Sequence, residues 1–192
     1  MNPTALSLTD PDYPARLSER LGERTPRKLF ALGSRAILAE RKTGLFCSVR
    51  CPGDAILGAY DTARKLRDDG VTVVSGFHSP VEKECLRILL RGKQPIVKFL
   101  ARSMMRIRIP AEQRRALESG RLLLLSPFEQ RPRRPDKNST AYRNELVAAL
   151  ADEVFIIHAE PGGEVERISQ LIERWSIPRR NENKVGESSQ GK

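Results

Sequence analysis

Five short and almost wholly apolar runs, separated by stretches of helical length and pattern, restrict this chain to few architectures. The runs are Gly44-Leu45-Phe46-Cys47-Ser48-Val49, Val71-Thr72-Val73-Val74-Ser75, Pro95-Ile96-Val97-Lys98-Phe99, Arg121-Leu122-Leu123-Leu124-Leu125 and Val154-Phe155-Ile156-Ile157. Strands that alternate apolar and polar residues have one wet face; runs this continuous are buried on both faces, as in parallel sheets covered by helices. The intervening spacing predicts helices over residues 54–69, 80–90, 110–118, 139–151 and 164–175. Ala55, Ile56, Ala59, Ala63 and Leu66 lie along one side of the first, and Gly70 is set to end it. Val81, Cys85, Ile88 and Leu89 line the second, Leu146, Val147 and Leu150 the fourth, and Val165, Ile168, Leu171 and Ile172 the last. Alternation of this kind requires right-handed crossovers. The expected fold is therefore α/β, a Rossmann-like three-layer sandwich on a mostly parallel sheet of five or six strands.

At 192 residues and 39% hydrophobic content, the chain can bury the core of one domain without cross-links. Residues 1–42 read as an irregular, partly helical extension: Asp10-Pro11-Asp12-Tyr13-Pro14 is a turn, and Leu17 and Leu21 recur at a helical interval. Leu29-Phe30-Ala31-Leu32-Gly33 fits either a short strand or a buried turn. Residues 43–177 form the Rossmann-like unit. Only Ser176-Ile177 remains after its last helix for a further strand, so a stunted sheet edge is expected there. Residues 178–192, lacking apolar periodicity, read as a disordered basic tail with no room for another domain.

The sequence has no apolar run of about 18 residues and no secretory leader pattern at its start. Cys47, Cys51 and Cys85 are too few and too odd in number for a disulfide framework, and a reducing, cytoplasmic setting is expected. Thirty-four Lys and Arg against 24 Asp and Glu give a net charge of +10. That excess points to a polyanionic partner, nucleic acid ahead of a membrane surface. An aromatic content of 5% argues against stacking platforms carrying most of the binding.

In open parallel sheets, ligands bind beyond the carboxyl ends of the strands. Three loops there combine small residues with a helix start: Ser48 to Asp54, Ser75 to Pro80, and His158 to Glu164. Backbone N–H groups at such a junction can face an anion, and glycine lets the backbone approach it. The candidate phosphate ligands are Ser48, Arg50, Gly53, Ser75, Gly76, His78, Ser79, Gly162 and Gly163, joined by Arg143 and Asn144. Glycine and proline also serve such loops simply by turning the chain. No Gly-x-Gly-x-x-Gly follows the first run and no Gly-Lys-Ser/Thr occurs, so no dinucleotide or nucleoside triphosphate cofactor is expected. Cys47, Cys51 and His78 lack the spacing of a zinc site, and no metal is expected. His78 and His158 have no carboxylate pattern around them in sequence. Glu160, Glu164 and Glu166 are the groups available for general-base chemistry, but none is assigned a catalytic role.

Tyr13-Pro14-x-x-Leu17, Leu32-Gly33, Val73-Val74-Ser75-Gly76, and Tyr142-Arg143-Asn144 ahead of Leu150-Ala151-Asp152-Glu153-Val154 together resemble the DNA-processing protein A (Smf) family. The resemblance spans roughly residues 12–175. That family's Rossmann-like core shares a superfamily with the Lonely Guy nucleotide hydrolases. The resemblance implies binding of single-stranded DNA, transfer of that strand to a recombinase, and homodimerisation. It matches Arg50 to the arginine of a Gly-Ser-Arg loop, Ser75 and Gly76 to a Ser-Gly loop, and Arg143 with Asn144 to an Arg-Asn-Arg stretch. Glu145 takes the position of that stretch's second arginine, exchanging a phosphate-attracting charge for a repelling one. Pro161-Gly162-Gly163 opens like the hydrolases' motif, but Glu164-Val165-Glu166-Arg167 follows where they carry Gly-Thr.

Basic residues gather in two segments. Arg91, Lys93, Lys98, Arg102, Arg106 and Arg108 occur with no acidic residue between them, and Arg131, Arg133, Arg134 and Lys137 share a proline-rich loop. Arg102, Arg106, Arg108, Arg131, Arg133, Arg134 and Lys137 are the candidate DNA contacts, because a polyphosphate needs charges along a track. The expected activity is non-catalytic binding of single-stranded DNA or a nucleotide, in DNA uptake, recombination or defence. The superfamily leaves two alternatives: a nucleotide-cleaving phosphoribohydrolase-like enzyme, and a nucleotide-sensing regulatory domain.

Overall fold

The computed structural model describes residues 2–180. All five predicted runs form parallel strands: β3 (Lys42–Cys47), β4 (Thr72–Ser75), β5 (Ile96–Phe99), β6 (Leu122–Ser126) and β7 (Glu153–His158). The helices between them are α2 (Gly53–Asp68), α3 (Pro80–Leu90), α4 (Ala111–Glu118) and α5 (Lys137–Leu150), and α6 (Glu164–Arg174) follows. Gly70 closes α2 with φ at 73°, a conformation that costs glycine nothing. Helix α5 starts two residues ahead of the sequence expectation because Asp136 and Ser139 form a reciprocal cap, each side chain accepting from the other's backbone N–H.

The segment read as a helical or irregular extension also contributes sheet. Alongside α1 (Ala15–Leu21) it supplies β1 (Thr4–Ser7) and β2 (Lys28–Gly33). The sheet therefore has seven strands rather than five or six, in the order β1-β2-β6-β5-β4-β3-β7. β2 runs antiparallel to β6, and β1 antiparallel to β2. Apolar periodicity made Leu17 and Leu21 legible, whereas a four-residue strand whose burial pattern is mostly exposed carries little signal.

Two apolar layers flank the sheet. One packs α2, α3 and α4 through Ala59, Ala63, Leu66, Val81, Cys85, Leu89 and Ala116. The other packs α1, α5 and α6 through Leu17, Leu146, Val147, Leu150, Val165, Ile168 and Ile172, with Trp175 at its margin. Leu122 to Leu125 are at most 1% exposed, so successive leucines feed opposite layers. Beyond α6, Val154 pairs with Arg179 in a single parallel bridge, and Arg180 donates from its guanidinium to Glu153 at 2.8 Å. Residues 178–180 thus form the stunted edge and are not part of a tail; the remainder of the expected tail lies outside the described residues. Among the described residues, no helix is long and apolar enough to cross a membrane.

Leu17, fully buried between α1 and the α5 layer, reports on the amino-terminal segment. Leu17→Ala should cost about 2–5 kcal/mol in urea unfolding and shift one cooperative transition. A loss near zero would mean that this segment is an appendage.

Candidate nucleic-acid interface

β3, β4, β5 and β6 march in one direction across the sheet, and β7 returns to the other side of β3. The crossovers on either side of this reversal run over opposite faces, which leaves a crevice at the carboxyl ends of β3 and β7. A cavity of about 290 Å³ lies there. Of the predicted ligands, Ser48, Arg50, His78, Ser79, Arg143, Asn144 and Gly163 line it.

Three sets of hydrogen bonds fix its walls. The backbone N–H of Ser48 donates to the His158 carbonyl at 3.0 Å, and the Glu160 N–H donates to the Ser48 hydroxyl at 2.9 Å, which joins the β3 and β7 loops. Glu82, 7% exposed, accepts from the backbone N–H groups of Cys47 at 3.0 Å, His78 at 2.7 Å and Ser79 at 3.2 Å, which joins the β3 and β4 loops. The register between β3 and β7 slips at Phe46/Cys47, where the Cys47 N–H turns to Glu82. The Arg143 guanidinium forms the third wall: it is 4% exposed and donates to the Asn144 side chain at 2.8 Å. It lies directly on Gly76, where an added Cβ would fall inside the guanidinium.

The other predicted ligands have different surroundings. Gly76 sits beneath Arg143, outside the lining. Ser75 is fully buried, and its hydroxyl accepts from the Phe77 N–H at 3.1 Å. Gly53 opens α2 away from the cavity, and Gly162 donates its N–H to Glu166 at 2.7 Å. The three helix starts also differ. Ser79 and Glu82 cap α3 reciprocally, so its end N–H groups are occupied, contrary to the expectation of three free helix starts. Helix α6 has no side-chain cap, and Gly163, Glu164 and Val165 at its start line the cavity. Glu82 is the main residue the sequence reading passed over, although Ser79-x-x-Glu82 is a legible capping box. Thr140, one helical turn before Arg143 and Asn144, also lines the cavity.

Glu145 is not the repelling charge its position in sequence suggested. It is 3% exposed and outside the lining, and it is ion-paired with Arg24 at 2.6 Å and Arg167 at 2.7 Å. Arg167 also holds Glu164 at 2.7 Å. His158 has a carboxylate partner after all: its Nε2 is 3.8 Å from Glu160, which in turn lies 3.9 Å from Arg50. Among the described residues, no three His, Cys, Asp or Glu side chains converge to hold a metal.

The electrostatics of the rim are set by cations held close together. Burial pushes the His78 imidazole down, and Arg143, Lys83 and Lys98 push it further. Burial, then Arg143, Arg102 and Lys83, bring Lys98 down to about 8. Burial pushes the Glu82 carboxyl up, against the three N–H donors and Arg143, which favour its charged form. An anion entering here would relieve the mutual repulsion of these cations.

The second basic region adjoins the cavity along the same edge. The β5 and β6 loops are stitched together: Ser103 donates its N–H to the Pro132 carbonyl at 2.8 Å and its hydroxyl to the Glu129 carbonyl at 2.5 Å. The Ser126 hydroxyl donates to the Arg102 carbonyl at 2.8 Å. Arg106, Arg108, Arg131, Arg133, Arg134 and Lys137 are exposed and Arg102 is half-buried. None of the seven pairs with a carboxylate among the described residues, and neither do Arg27, Arg91, Arg114 and Arg115 elsewhere, whereas Arg16, Arg24, Arg64, Arg87 and Arg167 do.

A mixed seven-stranded sheet with helices on both faces and a switch-point crevice at its carboxyl edge defines a Rossmann-like α/β protein. The chain belongs to the DNA recombination-mediator protein A family, whose sequence model matches residues 4–165. That match starts at the first residue of β1 and includes both antiparallel strands. The fold is similar to DNA processing protein A from Helicobacter pylori, a single-stranded-DNA-binding protein, with a TM-score of 0.73, 22% identity, and 92% of this chain and 79% of that chain covered. It is also similar to DNA processing protein A from Streptococcus pneumoniae, with a TM-score of 0.70, 20% identity, and 88% of this chain and 60% of that chain covered. A molybdenum cofactor binding protein from Rippkaea orientalis shares the fold more loosely, with a TM-score of 0.52, 9% identity, and 73% and 74% of the two chains covered. No curated protein sequence matches the chain.

Two predictions follow from the walls. Gly76→Ala should displace the Arg143 guanidinium and lower stability by about 1–3 kcal/mol, measured by thermal unfolding; an unchanged melting curve would show that Arg143 moves freely. Lys98 protonates less readily in the folded chain than in the unfolded one. Between about pH 8 and the ordinary lysine value the unfolded chain therefore holds the extra proton, and this group makes stability rise with pH. Subtracting the Lys98→Met unfolding curve from the parent's, at about pH 7.5 and about pH 10, should recover that rise.

Proposed function

We propose that this chain binds single-stranded DNA along the carboxyl edge of its sheet, without catalysis. The phosphates lie against Arg102, Arg106, Arg108, Arg131, Arg133, Arg134 and Lys137, and one nucleotide unit enters the cavity beside Ser48, His78, Arg143, Asn144 and Gly163. The observation that carries the reading is the concentration of unpaired cations at one place on the fold. Six arginines on two stitched loops, with Lys137 at the start of α5, lack carboxylate partners among the described residues, at the edge where the fold opens its crevice. Unpaired cations in a row gain more from a polyanion than paired ones, because each releases a condensed counterion without losing an intramolecular partner. Family membership supports the same ligand and, with it, a setting in recombination, DNA uptake or defence and transfer of the strand to a recombinase. The +10 net charge supports fast, salt-sensitive association.

A second reading draws support from the cavity's own carboxylates. Glu160 and Glu164 line it together with Arg143, and a carboxylate suits a sugar hydroxyl better than a second phosphate. A free mononucleotide, sensed or cleaved, is the ligand such a mixture favours if the basic loops play no part. Titrating a short oligonucleotide against a nucleoside monophosphate separates the two, and release of free base from the monophosphate separates cleavage from sensing.

The triple variant Arg102→Glu, Arg133→Glu and Arg134→Glu should abolish oligonucleotide binding in fluorescence anisotropy at moderate salt. In the parent, log affinity should fall with log salt at about −0.7 per phosphate engaged, and the triple variant should lose about two units of that slope. Unchanged retention of the oligonucleotide by the triple variant would overturn the track.

A further inference from the structure

Past the basic loops, at the β2 side of the same edge, lies a second cavity of about 370 Å³. It is lined by Phe30, Met104, Met105, Arg106, Glu129 and Gln130, together with Asn2 and Pro3 of the amino-terminal segment. β2 runs antiparallel to β6 and pairs Phe30 with Ser126, which brings this ring to the carboxyl end of β6 where the arginine loop begins. The turn that shapes the cavity is rigidly held. Met105 donates its N–H to the Ser103 hydroxyl at 3.1 Å, the Ile107 N–H donates to the Met104 carbonyl at 3.2 Å, and Arg106 is held at φ 55°, a left-handed conformation uncommon for a residue with a side chain. The result is a split: Met104 is 3% exposed, while Met105 is 59% exposed, among the most exposed large apolar side chains described.

We propose that this cavity is a nucleobase subsite, which takes one unstacked base of the strand whose phosphates lie on the Arg102 and Arg131–Arg134 loops. The inference rests on the reading of this edge as a single-strand track and adds to it a contact the charges cannot provide. A base needs an apolar surface for its faces, polar groups for its edge, and a cation one linkage away for its phosphate. Phe30 offers a ring and Met104 and Met105 polarizable thioethers, Gln130 an amide with both donor and acceptor, and Arg106 the cation. Charge complementarity selects the occupant: an apolar cleft with the unpaired Arg106 in its lining, continuous with the loops that carry Arg102 and Arg131–Arg134, suits a ligand with apolar faces and a negatively charged backbone. Single-stranded nucleic acid has both. Because the contact is stacking, any base is accepted, and the subsite contributes affinity without sequence preference.

The test compares an oligothymidylate with an oligomer of the same length and phosphate number that lacks bases, by anisotropy at one fixed salt concentration. The parent chain should bind the intact strand more tightly. Met105→Ala and Phe30→Leu, the first at an exposed position and the second nearly volume-conserving, should each weaken the intact strand by about fivefold or more. They should leave the abasic strand and the salt slope unchanged. Equal loss for both strands, or no loss for either, would overturn the subsite. A change in oligomeric state by sedimentation, with intact-strand binding preserved, would make the patch a protein contact and overturn it too. Failure of the parent to bind any oligonucleotide at low salt would instead remove the track, and the subsite with it.

Discussion

A single buried carboxylate, Glu82, organises the carboxyl edge of this protein's sheet. Its two oxygens accept three backbone N–H groups from two different loops, and Arg143 supplies the nearby positive charge that a desolvated carboxylate requires. Neither charge is stable alone in that location. Together they set the spacing between the β3 and β4 loops, and Gly76 has no side chain because the guanidinium occupies the space one would need. Topology places the crevice, and these hydrogen bonds to a side chain fix one of its walls.

The rest of the charge divides by location. Several arginines are spent on structure: Arg24 and Arg167 neutralise the buried Glu145, and Arg20 donates to carbonyls at the end of α5. On the β5 and β6 loops the arginines are unpaired, and the loops are joined through backbone and serine hydroxyl bonds. Net charge therefore says less than its distribution. An excess of +10 spread evenly over the surface would leave only a weak field, whereas a local excess of arginines on two adjoining loops gives a directed one.

Much of this was legible in the sequence. Continuous apolar runs such as Leu122-Leu123-Leu124-Leu125 admit one environment, a sheet covered on both faces, and the helical spacings between them fix the crossovers. The crevice followed from topology, and seven of its lining residues could be named because βα loops at a switch point have few alternatives. What escaped was set by contacts between distant segments. β1 shows too little burial to register as a strand, and it exists because β2 offers it an edge. Glu145 reads as an exposed helix charge until Arg24, more than a hundred positions earlier, is seen beside it. The contribution of Glu82 was written locally, in Ser79-x-x-Glu82, but a capping box does not reveal that the same carboxylate also reaches the end of β3.

The slip in pairing between β3 and β7 at Phe46/Cys47 carries a consequence for how far the crevice can gape. Bulges of this sort bend a strand away from its neighbour and release one amide from the ladder, and here that amide turns sideways to Glu82. Had the two strands stayed in step, the Cys47 amide would face a β7 carbonyl and Glu82 would lose a donor. The pair would then zip onward across the gap now spanned by the bonds of Ser48 to His158 and Glu160. One skipped rung thus determines whether this end of the sheet is a seam or a doorway.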